Sequence, residues 1–390
     1  MSGRCREMPA VLAAIAIVAL LVVATPIAGT RRTLTVARCV MLVDDLDGDA
    51  IIFSVRDPND RTSVIRYDLN GTTSEVLFGP EISDRAYLVD VGAEGVIWAM
   101  EENGGSVLMY RDADSGDERR IAADPDGHLF AVLTGGRIFL TTTEDDGRYD
   151  LAVYDLWLDS TTPIAADLSD RRITARGDLV AYLRGGESGD RAYVYNCTAD
   201  EEIRMSEDDV RIGGPMRPPL AIGDGLVAWS QRPVGSDPED LDIHAYDLDD
   251  GTTVPLLEGE NVSYDLCGLG DGLLVYVEGT PGSGPAGALM VAPLEGGPAI
   301  MLGDAGSVKG TVQVGGDTVA WVDGGLLNGT LYVSTERPYP EPVVIDYCPN
   351  GDDTDDGSDG GGAVDGFQAS LAIGSIALVA LVRSSRRGRG

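Results

Sequence analysis

The chain has 390 residues, with 64 acidic side chains against 29 Lys and Arg and a formal net charge of −35. A hydrophobic fraction of 43% is enough for a sizeable core, and 51 Gly with 20 Pro favour many turns over long helices. Such a charge excludes a nucleic-acid partner, which needs clustered Lys and Arg; Lys309 is the sole lysine.

Residues 1–29 open the chain with Arg4 and Arg6, an apolar run from Val11 to Val23, then Pro26 and a small-residue exit at Ala28-Gly29. A basic start, an apolar stretch and a small-residue cut describe a secretory signal, with an uncleaved anchor as the alternative. The expectation is an N-terminal signal helix and an exported body.

Between residues 48 and 348 one pattern recurs. A Gly/Asp turn leads into a short apolar run with an aromatic at Phe53, Trp98, Phe139, Tyr182, Trp229, Tyr276 and Trp321, spaced 45, 41, 43, 47, 47 and 45 residues apart. A second β-rich run follows each, as in Ile65-Arg-Tyr67 and His244-Ala-Tyr246, and then an Asp/Gly turn such as Tyr67-Asp-Leu-Asn-Gly71. A period of 40–50 residues built from short strands, with no stretch apolar at i, i+3 and i+4, is the pattern of a β-propeller blade. Residues 30–348 are therefore read as an all-β, seven-bladed β-propeller. The recurrent aromatics are expected to fill the space between blades. Trp157 falls outside their column and is a candidate exposed contact.

The last repeat lacks a fourth strand, and the β-rich segment Leu34–Val43 is placed to supply it. That closure would bring Cys39 near Cys348, so a disulfide between them is expected to fasten the ring, worth up to about 4–5 kcal/mol on a chain-entropy basis. Cys197 and Cys267 are left open as a pair or as buried thiols. The Tyr-Asp-Leu turns and the Gly-Asp-apolar-aromatic openings resemble TolB-like propeller repeats over roughly 300 residues, although the usual Ser-Pro-Asp-Gly turn survives only in part at Asp124-Pro-Asp-Gly127. In that superfamily propellers mostly bind proteins or form one domain of a larger enzyme.

Residues 349–366 (PNGDDTDDGSDGGGAVDG) are nearly free of apolar side chains and read as a flexible tether. Sixteen mostly apolar residues, Phe367–Val382, follow, and Arg383, Arg386, Arg387 and Arg389 close the chain. As a helix this stretch spans about 24 Å, a short transmembrane or sorting helix whose arginines snorkel to a cytoplasmic interface. Residues 367–390 thus form a membrane anchor or sorting signal. This tail resembles the PGF-CTERM sorting signal of archaeal surface proteins, with Asp365-Gly366-Phe367 where that signal has Pro-Gly-Phe. The resemblance implies attachment to the outer face of the membrane by the helix or by a lipid that replaces it, and the acidic composition suits a halophilic archaeal source.

Four triplets, at Asn70, Asn196, Asn261 and Asn328, are acceptors for N-glycosylation. The Asp-rich turn holding Asp45, Asp47 and Asp49 offers oxygen ligands to calcium, but the same density of Asp and Gly occurs at most turns, so no cofactor is expected. No Gly-x-Ser-x-Gly elbow occurs, and His128 and His244 are too few for a His-rich funnel. No catalytic residue is assigned. The sequence reading is a non-catalytic, surface-anchored module that binds a protein or glycan partner or serves as an envelope scaffold, with contacts from the loops 185–191, 204–219 and 232–241. The alternative is an extracellular hydrolase or lyase acting on polysaccharide or peptide at the ring's central funnel.

Overall fold

The computed structural model describes residues 31–346 except 48, 57–61, 72, 79–85, 93, 125–128, 144–146, 187–188, 207–209, 213–218, 234–239, 260–261, 271, 281–286, 305–307, 325–328, 338–339 and 341–343. The signal segment, the tether and the apolar tail lie outside the described residues, and with them both expected helices.

All the regular structure described is β. In chain order the strands begin β1 (Arg32–Asp47), β2 (Ala50–Arg56), β3 (Thr62–Asp68) and β4 (Thr73–Phe78). Next come β5 (Ala86–Gly92), β6 (Gly95–Glu102), β7 (Gly105–Asp112) and β8 (Glu118–Asp124). They continue with β9 (Phe130–Thr134), β10 (Arg137–Thr143), β11 (Tyr149–Asp155) and β12 (Ser160–Leu168). Then follow β13 (Thr174–Arg176), β14 (Leu179–Gly185), β15 (Asp190–Asn196) and β16 (Glu201–Arg204). The next group is β17 (Val210–Ile212), β18 (Leu220–Gly223), β19 (Leu226–Pro233), β20 (Asp242–Asp247) and β21 (Thr252–Leu257). After these come β22 (Ser263–Gly270), β23 (Leu273–Gly279), β24 (Gly287–Pro293) and β25 (Ile300–Asp304). The last are β26 (Val308–Gly315), β27 (Thr318–Asp323), β28 (Gly329–Thr335) and β29 (Ile345–Asp346).

These strands hydrogen-bond into five sheets, which corrects the expectation of seven separate blades. Three sheets hold β5–β8, β17–β21 and β22–β25. The other two are eight-stranded: β26-β27-β28-β1-β2-β3-β4 with β29 beside β1, and β16-β15-β14-β12-β11-β10-β9 with β13 beside β14. Backbone pairing does not have to stop where a sequence repeat ends. The first half of β1 pairs with β28, from Arg32 opposite Thr335 to Val40 opposite Gly329, and its second half pairs with β2. The other merger is a single pair, Leu168 with Arg184. The segment around Leu34–Val43 thus completes the last group of strands and opens the first.

The sheets close on themselves. β1 contacts β5, β5 contacts β9, β9 contacts β13, β13 contacts β18, β18 contacts β22, β22 contacts β26, and β26 returns to β1. This circuit of inner strands makes the molecule an all-β propeller. Hydrophobic clusters sit between successive groups of strands, from Ile52, Val64, Val96 and Trp98 at the first junction to Phe53, Val55, Ala320 and Val322 at the closure. The second strand of each group is covered on both faces, as in β6, β23 and β27, so it reads in sequence as an unbroken apolar run rather than an alternation. Outer strands such as β8 and β21 alternate between exposed and half-buried positions. The aromatics spaced along the repeats all lie buried on these second strands, with Phe53, Phe139, Tyr182 and Trp229 at 0% exposure.

Glycine sets how closely the inner strands approach. Gly223, Gly270 and Gly315 each end an inner strand directly before its turn. A Cβ added to Gly223 would lie 2.7 Å from the Leu269 carbonyl oxygen, one on Gly270 2.4 Å from Val314 Cγ1, and one on Gly315 2.7 Å from the Leu46 carbonyl oxygen. Each glycine therefore meets the matching position of the next inner strand, and the last meets the first. The turns that follow are tight: Asp224-Gly225 has φ of 49° and 74°, the left-handed pair that a two-residue hairpin needs.

Candidate functional site

The two ends of the ring differ. First-to-second and third-to-fourth strand connections lie at one end and are short, such as 135–136 and 224–225. The strands flanking 186–189, 205–219 and 234–241 terminate at the opposite, loop end. At the short-turn end, between β2 and β6, lies a cleft of about 140 Å³ lined by Arg66, Val96, Arg111 and Asp112. Pockets for small ligands run to several hundred Å³, so this cleft is too small for one.

At the loop end β20 begins, β21 finishes and β22 begins. Backbone contacts fix this corner: the Tyr264 N–H donates to the Leu241 carbonyl at 2.7 Å, and the Leu241 N–H donates to Ser263 Oγ at 3.3 Å. Asp242 and His244, two apart on β20, project to one side of it, and Glu258 follows β21. Donor atoms of Asp242, His244 and Glu258 all lie within 4.8 Å of one another, and no other such group of three occurs among the described residues. His244 Nε2 is 4.0 Å from Glu258 Oε1, and the Gly259 N–H donates to Asp242 Oδ1 at 3.3 Å. The imidazole stacks on Trp229, its cross-strand partner, with ring centroids 6.4 Å apart and planes at 21°.

Electrostatics at this corner are one-sided. Burial, then the negative charges of Glu258 and Asp240, push the Asp242 carboxyl up despite the Gly259 hydrogen bond. Burial holds the His244 imidazole below its ordinary value, with Glu258 pulling the other way. Burial, Glu278 and Asp242 together push the Tyr264 phenol up. One imidazole and two carboxylates form a nitrogen and oxygen donor set suited to a divalent cation.

The sequence-derived candidates fall elsewhere. Asp49 is held by Arg337 Nη1 at 2.5 Å and by Asn70 Nδ2 at 2.5 Å. Asp45 is half-buried and accepts the Leu46 N–H at 2.7 Å, while the Asp47 side chain lies outside the described residues. Asn70 Nδ2, the atom a glycan would take, is thus the donor to Asp49. Asn196 Oδ1 accepts the N–H groups of Thr198 and Ala199 at 3.0 and 3.1 Å, capping a turn. Asn261, Asn328, His128 and Cys348 lie outside the described residues, as does the side chain of Cys39. Cys197 and Cys267 carry thiols and form no disulfide, and burial pushes the Cys197 thiol up. Trp157 is 85% exposed, with Leu158 beside it at 75%. His244, read from sequence as an ordinary strand residue, gains its interest only through Glu258. Its position opposite the aromatic column was the one available signal.

No known family profile matches the chain, and no curated protein matches it in sequence. Solved structures do match in fold. The β-propeller domain of the Trilobed protease from Pyrococcus furiosus, described as an open velcro topology, aligns at a TM-score of 0.53 and 9% identity over 80% of this chain and 98% of that one. Tricorn protease aligns at 0.51 and 13% identity over 75% of this chain and 33% of its own. Puromycin hydrolase aligns at 0.50 and 16% over 79% of this chain and 54% of its own. A TolB structure from Acinetobacter baumannii aligns at a TM-score of 0.41 and 16% identity over 64% of this chain and 62% of its own. At these identities the likeness establishes the propeller fold.

The neighbours also correct the functional expectation. The non-catalytic binding or envelope-scaffold module read from the sequence is set against neighbours that include tricorn protease, the Trilobed protease and puromycin hydrolase. Residue identity along the repeats carries little of that association, because most buried strand positions require only apolar character and suitable volume. This chain spans about a third of tricorn protease and about half of puromycin hydrolase, so it corresponds to part of each.

Proposed function

We propose that this chain is a peptidase-associated propeller that receives extended polypeptide at its loop end and works with a peptidase. One observation carries the reading: the long connections and the convergent donor group share one end of a ring whose structural neighbours are propellers of proteases. Among the described residues, the opposite end carries tight turns and a small cleft. Binding of a labelled, unstructured polypeptide to the full chain, followed by fluorescence anisotropy, tests it. Saturable binding that competes with unlabelled polypeptide and not with polysaccharide is expected. Absence of polypeptide binding, or preference for polysaccharide, overturns the reading.

In the same reading the five sheets comprise seven blade units. Support comes from the inner-strand circuit and from the hydrophobic clusters between successive units. A retained or lipid-replaced C-terminal anchor, as the resemblance to the PGF-CTERM signal implies, would hold the propeller outside the membrane. Glycans on the four acceptor asparagines belong to the same placement. The Cys39–Cys348 disulfide is supported by β29, which runs parallel to β1 with Asp346 opposite Arg38, the residue before Cys39.

A further inference from the structure

We propose that Asp242, His244 and Glu258 form a divalent-cation site, of the borderline class that Zn²⁺ represents, which clamps the start of β20 to the end of β21 at the loop end. The site stands on geometry and does not depend on the peptidase reading. Three donors of two kinds come within 4.8 Å of one another, and a small swing of the exposed Glu258 side chain closes the gap toward the roughly 3.3–3.6 Å ligand–ligand spacing of an ion with bonds of about 2.0–2.2 Å. The imidazole separates this group from the many acidic turns of the chain. It selects against calcium, whose ligands are oxygens, and for a metal that accepts nitrogen.

The corner is also built in advance. His244 is fixed by its stack on Trp229, Asp242 by the Gly259 N–H, and the strand start by the Leu241 contacts to Ser263 and Tyr264. The Asp242 and Glu258 carboxylates lie within 4.8 Å of each other, so like charges are held close together. A cation removes that repulsion. With three protein ligands, a bound ion would have room for water as a fourth.

The test is calorimetric titration of ZnCl₂ into the full chain in molar potassium chloride, which screens diffuse binding to the acidic surface. One saturable equivalent is expected, with X-ray absorption at the zinc edge showing a single imidazole. Asp242→Asn and Glu258→Gln keep side-chain volume, and Glu258 is exposed, so both should fold with an unchanged unfolding temperature in the absence of zinc. Each is expected to weaken binding by about tenfold or more. His244→Gln should abolish the imidazole signal. Absence of a saturable equivalent in the unsubstituted chain, or equal affinity in all three variants, overturns the site.

Discussion

Gly223 shows how much a single hydrogen atom matters at the inner ring. Its absent Cβ is what lets the Leu269 carbonyl oxygen approach, and that oxygen belongs to backbone that cannot swing aside. Gly223→Ala should therefore cost about 1–3 kcal/mol, as overpacking does. Gly185→Ala is the control, since its added Cβ would meet only Ser169 Cβ at 3.7 Å; denaturant unfolding of both variants should show the first destabilised and the second nearly unchanged. Charge gives a second check at this scale. Burial tends to raise the Asp170 carboxyl, but the Arg172 guanidinium, whose Nε donates to both its oxygens at 3.0 Å, outweighs it and holds the carboxyl below the usual range. A depressed folded value means stabilisation that is present above the ordinary pKa of about 3.9 and is lost as pH falls through the folded value. The gap in unfolding temperature between the native chain and Asp170→Asn should be widest near neutrality and close in acid. Residues like the recurrent aromatics were legible because burial repeats at the period of the fold. Asp242, His244 and Glu258 were not, because their meeting depends on how β20 and β21 end in space, and single acids are invisible among so many.

Among the elements, β1 decides whether the ring is closed. Its first half supplies the outer strand of the last group and its second half the inner strand of the first, with Arg31 Nη1 donating to the Ser334 carbonyl at 3.0 Å. Removing residues 31–39 should expose the edge of β28 and the apolar side chains of the closure, lowering the unfolding temperature sharply and broadening the transition; a sharp transition near the native temperature would contradict this role. Intact-mass analysis after alkylation without reductant should leave Cys39 and Cys348 unlabelled and label Cys197 and Cys267 once the chain is unfolded. Trp229→Ala, which empties a fully buried position on β19, should cost about 3–5 kcal/mol in the same unfolding assay. The repeat length and the need for a closing strand were readable from spacing and from the missing fourth run. The merging of strands into five sheets was not, since a pair such as Leu168 with Arg184 depends on local bends that no residue type announces.

For the whole molecule, the ring reduces function to a choice of end. Tight two-residue turns at one end rest on Gly and Asp in left-handed backbone and leave little to recognise a ligand, while the longer connections and the donor group of Asp242, His244 and Glu258 gather at the other. The sequence marked those connections as contact loops, but which end they share follows only from strand direction. The most direct measurement is hydrogen–deuterium exchange of the full chain with and without an unstructured polypeptide. Slowed exchange across 204–219, 232–244 and 258–264, with 135–136 and 224–225 unaffected, is the result expected. Protection confined to the short-turn end, or no change at either end, would contradict a polypeptide-receiving loop face.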